Sequence, residues 1–316
     1  MDIKKIAVIG AGVMGPGMAQ IFTMAGCTVC LYDIEESALL KAKSAIYTSL
    51  KTFAAKEVIA EKDIDELYKK IIYTTKMQEA LRDVDMVVEA VVEKAEIKKS
   101  IYKQLDELLP ESVIIASNTS FLNIFNLMPQ NRLPYTIITH WYSPPAVIPL
   151  VEVCPNEKTK EEIVKVVLHL LKKGGKTPVV MKKFIEGYIV NRIQMCINQE
   201  IYYLLDNGYC TAKDIDEAVK ASFIPRAMVL GLLQRADFAG LNMTANNYRN
   251  KSYQMPPATD MPKTLEKLLA SGETGVAAGK GFYDYKDKDV GELYAKRDEQ
   301  LFEAFRLQKK LMDDPL

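Results

Sequence analysis

A chain of 316 residues has room for about two domains and a sizeable core, and its 41 basic side chains balance 41 acidic ones. No global field therefore draws it to nucleic acid, no apolar run approaches the roughly 20 residues that cross a bilayer, and two histidines cannot supply a histidine-rich metal site. Its five cysteines, Cys27, Cys30, Cys154, Cys196 and Cys210, suit a reducing compartment better than a disulfide scaffold.

Met1-Asp2-Ile3-Lys4-Lys5 runs straight into the first predicted strand, which leaves no space for a signal peptide and sets the expectation of a cytoplasmic protein. The apolar run Ile6-Ala7-Val8-Ile9 leads into Gly10-Ala11-Gly12-Val13-Met14-Gly15, and a helix follows from Pro16. Strand, G-x-G-x-x-G turn and helix are the context of a dinucleotide site. Gly10 permits the sharp turn, Gly12 lets backbone approach a pyrophosphate, and Gly15 lets helix pack closely on strand. Gly10, Gly12, Val13, Met14 and Gly15 are thus the candidate phosphate cradle at a helix N-terminus, where the dipole favours negative charge. The β-rich segment Thr28–Tyr32 ends in Asp33, eighteen residues past Gly15. A carboxylate there binds ribose hydroxyls and repels a 2′-phosphate, which favours NAD over NADP. Cys27 and Cys30, three positions apart on one strand, point to opposite faces and read as core thiols rather than a redox pair.

Residues 35–53 and 61–70 read as two helices that form an arm between the second and third strands. Strands follow at 71–74, 84–92 and 113–117, separated by an amphipathic helix over 94–108. The stretch 84–92 is nearly continuous apolar, as a parallel strand buried on both faces should be. Further strands are expected at 136–140, 150–153 and 177–181, with a helix over 159–173. Alternating strand and helix implies an α/β fold with a doubly wound sheet. Past Gly187 the strand signal stops, and long helices are expected at 188–207 and 212–221. The expected domains are 1–185, a Rossmann-type NAD-binding unit, and 186–316, an all-α unit.

His140 ends a strand beside a turn with three prolines, on the sheet edge where open α/β folds bind ligands. Glu152, inside Leu150-Val151-Glu152-Val153, needs a partner to offset its desolvation. If the two strands pair across the turn, an imidazole is that partner, and the pair suits a general base. The alternative is a packed histidine and a solvated glutamate. Ser117 and Asn118, which close a strand, read equally as a helix cap or as binding groups. Asn191 opens the first helix of the second domain and reads alone as structural. Ser49 and Lys56, two helical turns apart, share a face that could grip a phosphorylated ligand or simply be solvated.

Together these residues resemble the 3-hydroxyacyl-CoA dehydrogenase family over nearly the whole chain. The resemblance rests on Gly10–Gly17, Val87-Val88-Glu89-Ala90-Val91-Val92-Glu93, Ser117-Asn118-Thr119-Ser120, His140 through Glu152, Gly187-Tyr188-Ile189-Val190-Asn191-Arg192, and Gly279-Lys280-Gly281-Phe282-Tyr283-Asp284-Tyr285. It implies that His140 is the catalytic base with Glu152 as partner, that Ser117 and Asn191 hydrogen-bond the reacting oxygen, and that Glu93 and Asn118 line the NAD site. It places Ser49 and Lys56 at the family's CoA contact, and implies a homodimer formed through the helical domain. The implied reaction oxidises a short-chain (S)-3-hydroxyacyl-CoA to the 3-ketoacyl-CoA. Two features depart from the acyl-CoA enzymes: Ser143 stands where Asn is usual, and Arg226-Ala227-Met228-Val229-Leu230-Gly231-Leu232 replaces a shorter turn. These resemble the branch of carnitine, gulonate and pyridine-carboxylate dehydrogenases, whose substrates are free hydroxy acids or alcohols, with Arg226 as a possible carboxylate clamp.

Overall fold

The eight apolar runs that precede Gly187 all form strands: β1 Lys5–Ile9, β2 Thr28–Tyr32, β3 Ile71–Thr74, β4 Met86–Glu89, β5 Ile114–Ser117, β6 Thr136–Trp141, β7 Leu150–Pro155 and β8 Thr177–Val180. They make one sheet in the order β3-β2-β1-β4-β5-β6-β7-β8. Neighbours from β3 to β6 are parallel, β7 runs antiparallel to β6, and β8 is parallel to β7. β4, β5 and β6 are buried along their whole length, which explains their unbroken apolar character. Strand order reverses between β1 and β4, so a crevice opens at their carboxyl ends, where such folds seat ligands.

The computed structural model describes residues 2–314, which divide into two compact units between Ile189 and Val190. In the first, helices α1 Gly15–Met24, α2 Glu36–Ala55, α3 Ile64–Lys69, α4 Met77–Ala80, α5 Ala95–Leu108 and α6 Glu161–Lys173 accompany the sheet. α2 buries Leu39, Ala42, Ile46, Leu50 and Phe53, an i, i+3/i+4 stripe, and packs on α1 and α3. The expected arm is therefore anchored by an apolar stripe. α5 ends on Arg132, whose guanidinium donates to the carbonyls of Leu105, Asp106 and Leu109 and to Asp106 Oδ1. That cation satisfies orphan carbonyls and complements the helix dipole. The first unit extends through Ile189 because Tyr188 is 1% exposed and donates its hydroxyl to Thr119 O. The N–H groups of Gly187 and Ile189 also bond into this unit, to Ser120 O and Glu152 Oε1.

The second unit consists of α7 Val190–Asp206, α8 Ala212–Ala218, α9 Ile224–Ala239, α10 Leu241–Arg249, α11 Lys263–Ala270 and α12 Val290–Asp313. Thr211 and Asp214 form a capping box at the start of α8. A five-residue π-helical stretch, Val219–Phe223, leads into α9, which breaks at Gly231 with φ 66°. The unusual 226–232 segment is therefore a bent helix, and only glycine takes that φ without strain. Among the described residues of this unit only Pro256 is buried.

Candidate active site

The glycine loop lies at the β1–β4 switch point. Gly10 has φ 108°, and a Cβ there would meet Ala90 O at 2.6 Å. A Cβ on Gly15 would meet Gly10 O at 1.8 Å, whereas nothing lies within 4 Å of one on Gly12. The loop is closed where it must fold and open where a ligand would approach, and Val13 is 79% exposed. α1 starts after Met14 with no side chain capping it, which leaves the helix N-terminus uncapped for an anion. Asp33 Oδ2 accepts from Ala11 N–H at 2.7 Å and Oδ1 from Glu35 N–H at 3.0 Å. The carboxylate is fixed beside the loop with lone pairs remaining for ribose hydroxyls. These residues fit a dinucleotide.

His140 and Glu152 are a cross-strand pair on antiparallel β6 and β7. His140 Nδ1 lies 3.0 Å from Glu152 Oε2, and the two side chains are 3% and 1% exposed. Glu152 is surrounded by donors: Ile189 N–H reaches Oε1 at 2.9 Å and Tyr142 O–H reaches Oε2 at 2.7 Å. A carboxylate so placed accepts only, so Nδ1 carries a hydrogen, and Nε2 is the acceptor whenever the ring is neutral. Nε2 meets Ser120 Oγ at 3.3 Å. The ring is flanked by Tyr142, edge-on, and Tyr188, stacked at 30°, each centroid 4.7 Å away. Burial, followed by the nearby Cys154, Glu93, Glu152 and Tyr142, raises the Tyr188 phenol above its ordinary range and keeps it neutral. The turn between the strands is held by Lys176, whose ammonium donates to the carbonyls of Pro145, Ala146 and Ile148. Burial pushes that ammonium down to about 7.

The Ser117 hydroxyl, which the resemblance sets at the reacting oxygen, is bonded to another carboxylate. Ser117 ends β5 with no exposure, and its hydroxyl donates to Glu89 Oε2 at 2.6 Å and lies 3.1 Å from the Tyr102 hydroxyl oxygen. Glu89 also accepts from Tyr102 at 2.6 Å and from Lys98 at 2.7 and 2.9 Å, all of them fully buried. Burial and the Glu89 charge raise the Tyr102 phenol well above its usual range. This closed network locks the ends of β4 and β5 together, and Ser120 takes the place next to His140. Glu93, expected to line the cofactor site, organises the turn that carries Ser120. Its Oε1 accepts from Thr119 Oγ1 and from the N–H groups of Ser120, Phe121 and Leu122, and its Oε2 pairs with Lys98 at 3.2 Å. Burial opposes ionisation, but the bonds from Thr119, Phe121 and Leu122 and the Lys98 charge outweigh it and hold Glu93 below the usual carboxylate range. Asn118 accepts from Trp141 N–H at 2.8 Å, tying the end of β5 to β6.

Ser49 lies on α2 and Lys56 caps its end, both half-buried. Asn191 is the second residue of α7, and Arg226, exposed on α9, donates Nε to Ser222 O. Cys27, Cys30 and Cys154 are buried free thiols that burial pushes up to about 11, which keeps them inert. Sequence reasoning missed Glu89, Lys98, Tyr142, Tyr188 and Ser120. Glu89 carried the same signal as Glu152, a lone carboxylate in an apolar run, and Ser120 stood in the same short motif as Ser117.

Residues 5–184 match the family of the 3-hydroxyacyl-CoA dehydrogenase NAD binding domain, and residues 187–285 match its C-terminal domain. The 5-formyl-3-hydroxy-2-methylpyridine 4-carboxylate 5-dehydrogenase of Mesorhizobium japonicum is 30% identical over 96% of this chain and 98% of its own. Human mitochondrial hydroxyacyl-coenzyme A dehydrogenase is 33% identical over 90% of this chain and 92% of its own. A solved structure of 5-formyl-3-hydroxy-2-methylpyridine 4-carboxylic acid 5-dehydrogenase, described as an NAD+-dependent dismutase, superposes with a TM-score of 0.87. It is 26% identical and covers 97% of this chain and 99% of that one.

Proposed function

The chain belongs to the 3-hydroxyacyl-CoA dehydrogenase family, and on that premise we propose that it is an NAD-dependent dehydrogenase of a small free hydroxy acid or alcohol, with His140 as general base. The observation that carries the chemistry is the buried His140–Glu152 pair, whose Nε2 lone pair points to the Ser120 hydroxyl rather than to bulk solvent. His140 Nε2 accepts the proton of the substrate hydroxyl, Glu152 stabilises the resulting imidazolium through Nδ1–H, and Ser120 donates to the reacting oxygen. NAD, when bound, supplies the hydride acceptor, and the 10–15 loop with Asp33 holds it. Asn191 is assigned as a second donor to the reacting oxygen.

The free-acid reading is supported by the pyridine-carboxylate relative, which matches this chain nearly end to end, whereas the human acyl-CoA enzyme matches over 90%. Arg226 is the proposed carboxylate partner. A second reading, a short-chain (S)-3-hydroxyacyl-CoA substrate, is supported by the hydroxyl of Ser49 on α2 and the ammonium of Lys56 at its C-terminal end, groups that suit a phosphorylated ligand. Absorbance of NADH with acetoacetyl-CoA, free acetoacetate and a panel of keto acids and carboxylated aldehydes separates the two. Consumption with a free acid alone is expected, and consumption with the thioester alone overturns the free-acid reading. We place the protein in the cytoplasm on its free cysteines, and as a homodimer through the helical unit on that unit's lack of a core of its own.

A further inference from the structure

Both oxygens of Glu152 accept from close donors. Oε1 accepts from Ile189 N–H, and Oε2 lies between His140 Nδ1 at 3.0 Å and Tyr142 O–H at 2.7 Å. The tyrosine bond is the shorter of the two on Oε2, and its ring meets the imidazole edge-on at 4.7 Å. Hydrogen bonds to a buried carboxylate are charge-assisted, and donors on one oxygen compete for the same charge. We propose that Tyr142 is a positioning residue of the catalytic pair: its hydroxyl withdraws charge from Glu152 Oε2 and limits how strongly that carboxylate favours the imidazolium over the neutral ring.

This rests on His140 being the base. The groups that face the imidazole come from four elements. Glu152 belongs to β7, and Tyr142 lies just past β6. Tyr188 precedes α7, its hydroxyl committed to Thr119 O, and Ser120 stands in the turn after β5. Glu93, from the turn after β4, faces that same turn and is paired with Lys98. Cys154, further along β7, is held as a neutral thiol by burial. Of these only Glu152 holds the ring by direct contact with a negative charge, and Tyr142 is the one tyrosine among them that bonds to it.

The chain's two histidines make the test direct. His169 is exposed on α6 and serves as an internal reference. Histidine-labelled full-length protein is titrated by NMR as wild type and as Tyr142→Phe, with His169→Gln to assign the two signals. Tyr142→Phe keeps the ring and removes only the donor, so more of the carboxylate charge falls on Nδ1–H. The expected result is a rise in the His140 titration midpoint of about 0.5–1 pH unit with His169 unmoved. A His140 midpoint that stays within about 0.2 unit of wild type, or falls, overturns the proposal. A purely structural role would lower thermal stability without moving the midpoint, which the same sample reports. Because no turnover is involved, failure here is separate from failure of His140 as base, which shows in kcat.

Discussion

Ser117 and Ser120 are three residues apart and have different neighbours: one hydroxyl donates to buried Glu89, the other meets His140 Nε2. Ser120→Ala should lower kcat about tenfold, the loss of one hydrogen bond, and leave the melting temperature in place. Ser117→Ala should instead cost about 1–3 kcal/mol of stability, because Glu89 Oε2 loses a donor inside a closed network. Paired urea unfolding and NADH-coupled kinetics on both variants check this; a larger kcat loss at Ser117 than at Ser120 would reverse the assignment. The two serines sit in one five-residue run, Ala116 to Ser120, and residue type alone does not distinguish them. What decides is the turn after β5, and Glu93, far off in sequence, shapes that turn. His140 and Glu152 were readable because a carboxylate among valines demands a partner. Tyr188 was not, since its stacking on His140 spans 48 residues and leaves no periodic trace.

The sheet carried strong signals at the scale of elements. Eight short apolar runs separated by helical periods became eight strands, and the unbroken apolar character is strongest in β4, β5 and β6, which are buried on both faces. The antiparallel turn of β7 was also implicit: eight residues, 142–149, separate it from β6, and a parallel crossover needs a dozen or more. That reversal makes His140 and Glu152 directly opposed partners. The glycine spacing likewise specified a contact, since any side chain at Gly15 would collide with Gly10 O. α4, four residues long, is too short to leave a helical period, and the π-helical stretch before α9 has no pattern of its own. The break at Gly231 becomes visible only in its backbone angles.

At the scale of the whole molecule, the first unit has a core and the second has almost none. Leu233, Phe238 and Leu241 are 84, 67 and 61% exposed, an amount of apolar surface that water does not tolerate on a lone helical unit. Sequence periodicity gave these helices but could not say what covers them, because an apolar stripe looks the same whether it meets its own chain or another. Sedimentation equilibrium at micromolar concentration should give twice the mass of one chain, and a monomer would exclude the dimer. Every scale converges on one imidazole, positioned by a strand reversal and oriented by a buried carboxylate. The most direct test is kcat for His140→Gln, measured by NADH absorbance with the substrate that the wild type turns over, alongside NADH affinity by fluorescence. Loss of the base should lower kcat about 10²–10⁴-fold with NADH affinity unchanged. A variant that keeps wild-type kcat would contradict the account.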